Sequence, residues 1–284
     1  MNLIDPEEIT FVTFATFGQE RGQRDYSDLV LKLRETCDSL GVRLLVASFQ
    51  GSGVKGVDLE VQRMLPMRKG AGYWSWKPDV ISMAMEKIKS RYLIYIDCDL
   101  NLKSRPKIFK TDDFEYSGIA AFETEEKLSD WSSKRCLREF GLGQDVVSKI
   151  ISASLILVDT DNQTAKKVIL NWTEKIQNLE LLLDPFWTLK NNHRHDQSIF
   201  SCLVASGEVN IHKMTFGFFQ TGLENSTNLV DAWVVHGDVK SETEFMITKK
   251  ISLFRSFLFH KFELFYFLLI YKARKLFSDF MQVD

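Results

Sequence analysis

Two aspartates one residue apart, Asp97 and Asp99, directly follow an apolar run at residues 92–96. Charges this close repel each other, and each loses hydration beside a core. Two carboxylates at a strand end can share one hard divalent cation, Mg²⁺ or Mn²⁺, that also binds a diphosphate. The pair therefore predicts a metal–diphosphate site. An Asp-rich turn is the alternative, because a second D-x-D pair occurs at Asp159 and Asp161.

The segment KGAGYWSWKPDV, residues 69–80, has the most unusual composition in the chain. Its two glycines allow close backbone approach, and Tyr73, Trp74 and Trp76 offer flat faces that can stack on sugars or bases. Lys77 stands at the start of a helical pattern, where amide groups and a lysine favour phosphate. The segment predicts a substrate cleft beside a phosphate contact. The alternative is that the rings pack the helix onto the sheet.

Histidines and a carboxylate cluster in NNHRHDQSIF, residues 191–200. Asp196 can cap the apolar helix that follows. His193 and His195 can instead form a metal-binding pair, or Asp196 beside Gln197 can act on a substrate. The residue types leave these three interpretations open.

A later apolar run leads into VVHGDVK, residues 234–240. His236 is a candidate third metal ligand, and Lys240 is a candidate contact for a diphosphate. A single histidine at a strand end is more often structural, so this assignment depends on the other motifs.

Strands and helices alternate along the chain. We predict strands at 9–17, 42–49, 92–97, 116–123, 150–159, 209–214 and 232–237, and helices at 26–41, 79–90, 162–179 and 195–207. Strands that are apolar on both faces indicate a parallel or mixed sheet in an α/β domain. Ligands of such sheets bind beyond the carboxyl ends of the strands, and Asp97 and Asp99 lie at that end of their strand.

The composition fits a globular intracellular protein. A chain of 284 residues, 45% hydrophobic, can bury a substantial core. Its net charge of −2 gives no reason to expect nucleic-acid binding. The four cysteines have no C-x-x-C spacing, and the N-terminus lacks the pattern of a signal peptide. We therefore expect a cytoplasmic location.

Residues 245–284 differ from the rest of the chain. They contain seven Lys or Arg against three Asp or Glu, and nine of the 22 phenylalanines. The longest uncharged run, Leu264–Tyr271, is shorter than the roughly 20 residues that span a bilayer. We predict a domain at 1–244 and an amphipathic helical tail at 245–284 that binds an anionic membrane surface. A core helix is the alternative.

Three blocks of this sequence, in order, resemble a known family. KGAGYWSWKPDVI, YLIYIDCD and HRHDQSIFS, within Lys69–Ser201, are similar to blocks of bacterial capsular-polysaccharide and O-antigen glycosyltransferase-like proteins. The resemblance implies a GT-A-like fold, a Rossmann-type mixed sheet flanked by helices, with a nucleotide-sugar-binding half and an acceptor-binding half. Many members carry Asp-Ala-Gly where this chain has Asp97, Cys98 and Asp99. That departure favours metal dependence and weakens inference about the donor.

The resemblance also implies roles for single residues. His195 and Asp196 match the H-D-Q positions and become candidates for catalysis, with Gln197 in the substrate cleft. Trp76 and Lys77 match the W-K-P positions and are assigned to donor binding.

A looser likeness to GT-A enzymes extends the donor site. It places Thr13, Phe14 and Ala15, at the end of the first strand, in the base and ribose pocket. It also makes His236 the residue that completes the metal shell, and Lys240 a diphosphate contact.

We therefore expect a metal-dependent glycosyltransferase that uses Mn²⁺ or Mg²⁺. It would move a sugar from a nucleotide-sugar donor, with UDP-sugars favoured, to a growing capsule or O-antigen acceptor. The tail suggests a lipid-linked acceptor at the inner face of the cytoplasmic membrane. A sugar nucleotidyltransferase or hydrolase is the enzyme alternative, although TFGQERGQR is a poor glycine-rich phosphate loop. A non-catalytic membrane-peripheral scaffold is the other alternative, and the intact D-x-D pair argues against it.

Overall fold

The computed structural model describes most of the chain up to residue 214 and one short later segment. The described residues are 4–17, 25–52, 54–62, 65, 70–102, 108, 111–183, 193–214 and 234–236. For residues 101, 214 and 234–236 the backbone alone is described. Lys240 and the predicted tail at 245–284 lie outside the described residues, so both stay predictions.

A seven-stranded mixed sheet forms the centre of the fold, in the order β3-β2-β1-β4-β7-β6-β8. Its first half is parallel and consists of β1 (Ile9–Phe14), β2 (Arg43–Phe49), β3 (Leu59–Val61) and β4 (Tyr92–Ile96). Every residue of β1 and β4 is buried, which explains why both sequences are continuously apolar or uncharged. Because these four strands are parallel, their carboxyl ends lie at the same end of the sheet, which we call the carboxyl edge.

The other half of the sheet contains β6 (Ile119–Lys127), β7 (Lys149–Asp159) and β8 (His212–Met214). β7 runs antiparallel to both β4 and β6, whereas β8 runs parallel to β6. A separate two-stranded antiparallel sheet pairs β5 (Leu100–Leu102) with β9 (Val234–His236). β5 begins directly after the D-x-D pair, so the small sheet lies next to the carboxyl end of β4.

Helices flank the sheet. In chain order they are the 3₁₀ helix Pro6–Glu8, α1 (Ser27–Ser39), α2 (Gly70–Tyr73), α3 (Lys77–Lys87), α4 (Asp112–Ser117), α5 (Leu128–Trp131), α6 (Lys134–Glu139), α7 (Gln163–Ile176), α8 (Leu179–Leu182) and α9 (Asp196–Ala205). Local sequence explains several ends. Pro78 fills the first turn of α3, and Asn162 caps α7 by accepting the amide N–H groups of Thr164 and Ala165.

The two faces of the sheet bury separate cores. On one face, Val12 and Tyr95 belong to a cluster that includes side chains of α3, α7 and α9. On the other face, Phe11 and Ile94 pack with side chains of α1 and α4. Alternate residues of a strand therefore point to different helices, which decides the surroundings of each residue at the carboxyl edge.

The structure confirms the predicted α/β class and the mixed sheet flanked by helices. Each predicted strand and helix has a counterpart, with ends shifted by up to four residues. The predicted strand at 116–123 is wrong at its start: Tyr116 and Ser117 belong to α4, which ends because Gly118 has a left-handed φ of 66°. Within the described residues, no helix is both long and apolar enough to cross a bilayer.

Candidate functional site

Three of the sequence motifs meet at the ammonium group of Lys77. Lys77 Nζ lies 3.1 Å from Asp97 Oδ1 and 3.4 Å from Asp196 Oδ2. It also donates a 3.0 Å hydrogen bond to the carbonyl oxygen of Ala153. The fold thus brings the start of α3, the end of β4 and the start of α9 together. These contacts define the Lys77 cluster: Lys77, Asp97, Asp196 and the Ala153 carbonyl.

A left-handed turn places Lys77. Ala71, Tyr73 and Trp74 have φ angles of 50°, 60° and 57°, and the Trp74 amide N–H bonds the Gly70 carbonyl at 2.9 Å. α2 is therefore one turn of left-handed helix, which costs roughly 1–2 kcal/mol for each non-glycine residue. The turn ends at Trp74, and Lys77, three residues later, is the first residue of α3.

Packing of Trp76 holds the same segment against the sheet. Its ring stacks on Phe14 of β1, with centroids 3.7 Å apart. Its indole N–H donates to the carbonyl of Gly70 at 3.1 Å. Trp76 therefore links α2 and α3 to the end of the first strand.

The backbone of β7 holds Asp97 at the end of β4. The Asp97 amide N–H donates to the Ser154 carbonyl at 2.9 Å. Its Oδ1 accepts a short 2.6 Å hydrogen bond from the Tyr95 hydroxyl. Tyr95 and Asp97 are separated by the single residue Ile96, so in an extended chain their side chains point to the same face of the sheet. The carboxylate is thus fixed from its own strand and from the neighbouring one.

An irregularity in β7 supplies the third oxygen around Lys77. Between the pairs Ala121–Ile156 and Glu123–Ile151, the register advances two residues on β6 but five on β7. Ala153 lies within this interval. Bulges of this kind redirect groups at sheet rims and near active sites, and here the Ala153 carbonyl points to Lys77.

Asp196 is the first residue of α9 and is 4% exposed. The residue before it, His195, is the N-cap and makes no side-chain cap bond. Asp196 Oδ2 has no hydrogen-bond partner among the described residues, and its contact with Lys77 is an ion pair. The side chain therefore points into the Lys77 cluster. Its position does not support the helix-cap interpretation.

Burial and charge together set the ionisation of the cluster. Burial, together with the negative charge of Asp97, raises the pKa of Asp196 to about 6 although Lys77 and the Gln197 amide oppose the shift. Burial lowers the pKa of Lys77, but the two carboxylates raise it by more, and the result is a raised pKa. Burial, and next the charge of Asp97, raises the pKa of Tyr95 well above its usual range. With both aspartates ionised, the cluster carries a charge of −1.

The two histidines of the H-R-H-D-Q-S block are buried and bonded to backbone. His193 Nδ1 accepts the Ser133 amide N–H at 3.2 Å, and its Nε2 lies 2.8 Å from the carbonyl of Leu181. His195 Nδ1 lies 2.7 Å from the carbonyl of Leu182. Both nitrogens of His193 are engaged, which favours a structural role and argues against an H-x-H metal pair.

His195 also connects the left-handed turn at residues 70–74 to the start of α9. It has a φ of 48°, and its ring centroid lies 4.3 Å from that of Tyr73 in the left-handed turn. Both rings are buried. The residue therefore fixes the chain immediately before Asp196, and its predicted part in catalysis stays untested.

The aromatic residues of the second motif divide by burial. Tyr73 and Trp76 are 0% and 5% exposed and belong to the core. Trp74 is half-buried, as is Gln197 on the first turn of α9. Of the three predicted cleft rings, Trp74 alone keeps an accessible face.

The predicted donor residues lie at the end of β1. Phe14 faces the core with Trp76, whereas Ala15 belongs to a small cluster on the opposite face. Thr13 is fully buried, and its hydroxyl has no hydrogen-bond partner among the described residues. The fold therefore brings these three residues to the edge where β4 ends, but on both faces of the sheet.

The predicted metal ligands lie near one another along the backbone. Asp97 has a side chain 23% exposed, and Asp99 is exposed. The register of β5 and β9 places His236 opposite Leu100, next to Asp99. Carboxylate oxygens at this position fit the preference of Mg²⁺ and Mn²⁺. The described side chains contain no group of three His, Cys, Asp or Glu arranged to hold a metal, so the metal stays a prediction.

Sequence reasoning missed the arginine of the H-R-H-D-Q-S block. The Arg194 guanidinium stacks on Trp131 at 3.9 Å and pairs with both carboxylate oxygens of Glu126, at 3.0 and 2.9 Å. The Arg194 amide N–H also donates to the Trp131 carbonyl at 3.1 Å. Arg194 thus ties the segment before Asp196 to β6 and α5. Its position between two histidines was the available signal.

A groove of about 580 Å³ lies between α3 and α7. Its walls include Ser90 and Arg91 before β4, and Thr160 and Asp161 after β7. These residues mark the end of the sheet opposite to Asp97. The groove is therefore separate from the Lys77 cluster.

No family model and no curated protein sequence matches this chain. Inference about its activity therefore depends on the residues and their geometry.

Proposed function

We propose that this chain is a metal-dependent GT-A-type glycosyltransferase. It transfers a sugar from a nucleotide-sugar donor, with UDP-sugars favoured, to a growing capsule or O-antigen glycan. The acceptor is lipid-linked and is used at the inner face of the cytoplasmic membrane, which the tail at 245–284 contacts.

The observation that carries the proposal is the buried carboxylate of Asp196. Its Oδ2 forms an ion pair with Lys77 Nζ at 3.4 Å and has no other polar partner among the described residues, and burial raises the pKa of the carboxyl group to about 6. A general base works best when its pKa lies near the operating pH, and contributes about 10²–10⁴-fold. Asp196 is suited to take the proton of an acceptor hydroxyl as that oxygen attacks the sugar.

In this proposal the donor binds at the carboxyl ends of β1 and β4. Asp97 and Asp99, with His236 beside them, would hold Mn²⁺ or Mg²⁺, which neutralises charge on the departing diphosphate when bound. Thr13, Phe14 and Ala15, at the end of β1, would line the base and ribose pocket of the donor. Trp74 is the ring with an accessible face for a sugar.

The sheet supports the same proposal. The parallel half, β3-β2-β1-β4, has the features of a nucleotide-binding unit, because its strands end at one edge where ligands bind. The half that contains β7, β6 and β8 carries α9 against it. Two such halves, with the Lys77 cluster at their junction, agree with a donor side and an acceptor side.

Product identity and nucleotide binding test the proposal. The full chain is mixed with a panel of nucleoside diphosphates and nucleotide sugars, with and without Mn²⁺, and its melting temperature is measured. A ligand at 100 times its dissociation constant stabilises the fold by about 2.7 kcal/mol. Release of nucleoside diphosphate supports transfer or hydrolysis, and dependence of that release on acceptor glycan selects transfer. Release of pyrophosphate would indicate a nucleotidyltransferase, and no binding at all would indicate a scaffold.

Membrane association has its own test. Full-length protein should pellet with liposomes that contain anionic lipid at low salt, and a chain truncated after residue 250 should not. A truncated chain that still pellets would place membrane binding elsewhere.

A further inference from the structure

The surroundings of Lys77 point to a different role from the phosphate contact that its sequence position suggests. We propose that Lys77 is the internal counter-ion that fixes Asp97 and Asp196 relative to each other, and that it does not contact the donor phosphate. This inference rests on the proposed function, because it concerns how the same site is held in its working geometry.

Oxygen atoms already surround the ammonium group. A lysine has three N–H donors, and Lys77 Nζ has oxygens of Ala153, Asp97 and Asp196 at 3.0, 3.1 and 3.4 Å. Its side chain is 3% exposed, and the ring of Tyr95 lies 5.1 Å from Nζ. A phosphate would have to displace one of these oxygens.

Lys77 also connects parts of the chain that have no sequence proximity. Asp97 ends β4, Asp196 begins α9, and Ala153 lies in the irregular part of β7. Two carboxylates repel each other, so a positive charge that contacts both stabilises their present separation. Asp97 belongs to the proposed donor side and Asp196 to the proposed acceptor side. Lys77 is therefore a positioning residue that acts through Asp196.

Kinetics and nucleotide binding separate this role from a phosphate contact. The full-length parent is compared with Lys77→Met, which keeps much of the length and removes the charge, and with Lys77→Arg, which keeps the charge. Lys149→Met is the matched control, because it removes an exposed lysine that pairs with Glu125. Binding is measured by calorimetry with UDP and Mn²⁺, and turnover as UDP release from the donor that the nucleotide-sugar panel selects.

We expect Lys77→Met to lower turnover by about 10²-fold, which is the scale of loss that a 1 Å misplacement causes. The UDP dissociation constant should change less than about threefold, which is well within the 1.4 kcal/mol that a tenfold change represents. Lys77→Arg should recover part of the lost turnover, and Lys149→Met should match the parent. If Lys77→Met weakens UDP binding by the same factor as it lowers turnover, Lys77 is a phosphate ligand and the inference is overturned.

A double variant covers the case in which Lys77→Met does not fold. Removing the lysine leaves the buried carboxylate of Asp196 and the partly buried carboxylate of Asp97 without their cation, which is destabilising. Asp196→Asn leaves only one of these charges when it is combined with Lys77→Met, so it should raise the melting temperature more in the Lys77→Met background than it does in the parent. The double variant should also turn over no more slowly than Asp196→Asn alone. An increase no larger than in the parent overturns the inference. Absence of UDP binding by the parent would instead overturn the proposed function, and the melting temperatures would still decide the role of Lys77.

Discussion

Replacing Asp196 with asparagine should increase the stability of the protein above pH 7. The carboxyl group has an ordinary pKa of 3.8 and a folded-state pKa of about 6. The folded state therefore binds this proton more tightly than the unfolded state does. The stabilisation that this proton provides is complete below pH 4 and is lost as the pH rises through about 6. A shift of about two units, at 1.36 kcal/mol each, makes the ionised group cost about 3 kcal/mol.

Asparagine keeps the shape of the side chain and has no such titration. Asp196→Asn should therefore match the parent near pH 4 and melt up to about 6 °C higher at pH 8, if 1 kcal/mol is worth about 2 °C in a chain of this size. Calorimetry of both proteins from pH 4 to 8 measures the difference. Asp145→Asn, in an exposed loop, controls for loss of one negative charge. A difference that becomes negative with rising pH would show that ionised Asp196 stabilises the fold, and would refute the raised pKa. In the same variant, turnover should fall by about 10²–10⁴-fold above pH 6 if Asp196 is the base, and by less at lower pH, where the parent's Asp196 is protonated.

Two further predictions concern the segments that position the site. Gly70→Ala should lower the melting temperature more than Gly51→Ala. Both residues have positive φ, but of the two only the Cβ at position 70 would lie 2.4 Å from a tryptophan ring. Equal effects would show that the Trp74 ring moves away from position 70 at little cost. Arg194→Met should lower turnover more than Lys149→Met. Arg194 holds the segment before the proposed base by stacking on Trp131 and by a two-point ion pair with Glu126, whereas the Lys149 ion pair is exposed and contributes under about 1 kcal/mol. Equal turnover of the two variants would show that Arg194 does not position the base.

The residues of the site could be predicted from sequence, but their relations could not. The D-x-D pair, Lys77 and Asp196 were identified by residue type and by resemblance, and the fold brings three of the four together. The positive charge that offsets Asp97 comes from Lys77, whereas the sequence predicts Lys77 as a phosphate contact, a role that stays a prediction. The helix start that suggested phosphate is present, but the side chain turns inward. That direction depends on the Ala153 carbonyl, which an irregular register in β7 exposes, and no local pattern encodes that register.

The aromatic motif shows the same limit. The sequence alone does not decide whether Tyr73, Trp74 and Trp76 line a substrate cleft or pack in the core. The choice depends on partners distant in the chain, namely Phe14 for Trp76 and His195 for Tyr73. Helices and strands were easier, because periodicity and caps such as Asn162 act over a few residues.

Unfavourable terms concentrate around the Lys77 cluster in a way that stability alone does not explain. Three non-glycine residues of the left-handed turn, and His195 before Asp196, have positive φ, and such backbone costs about 1–3 kcal/mol at each position. The cluster also buries Lys77 and the carboxylate of Asp196, with Asp97 partly buried beside them, and apolar residues of similar volume are often more stable than buried ions. The strained turn ends three residues before Lys77, and the strained histidine directly precedes Asp196. Strained backbone close to both members of the ion pair agrees with a preorganised site, so the same geometry that destabilises the fold favours a functional role for both side chains.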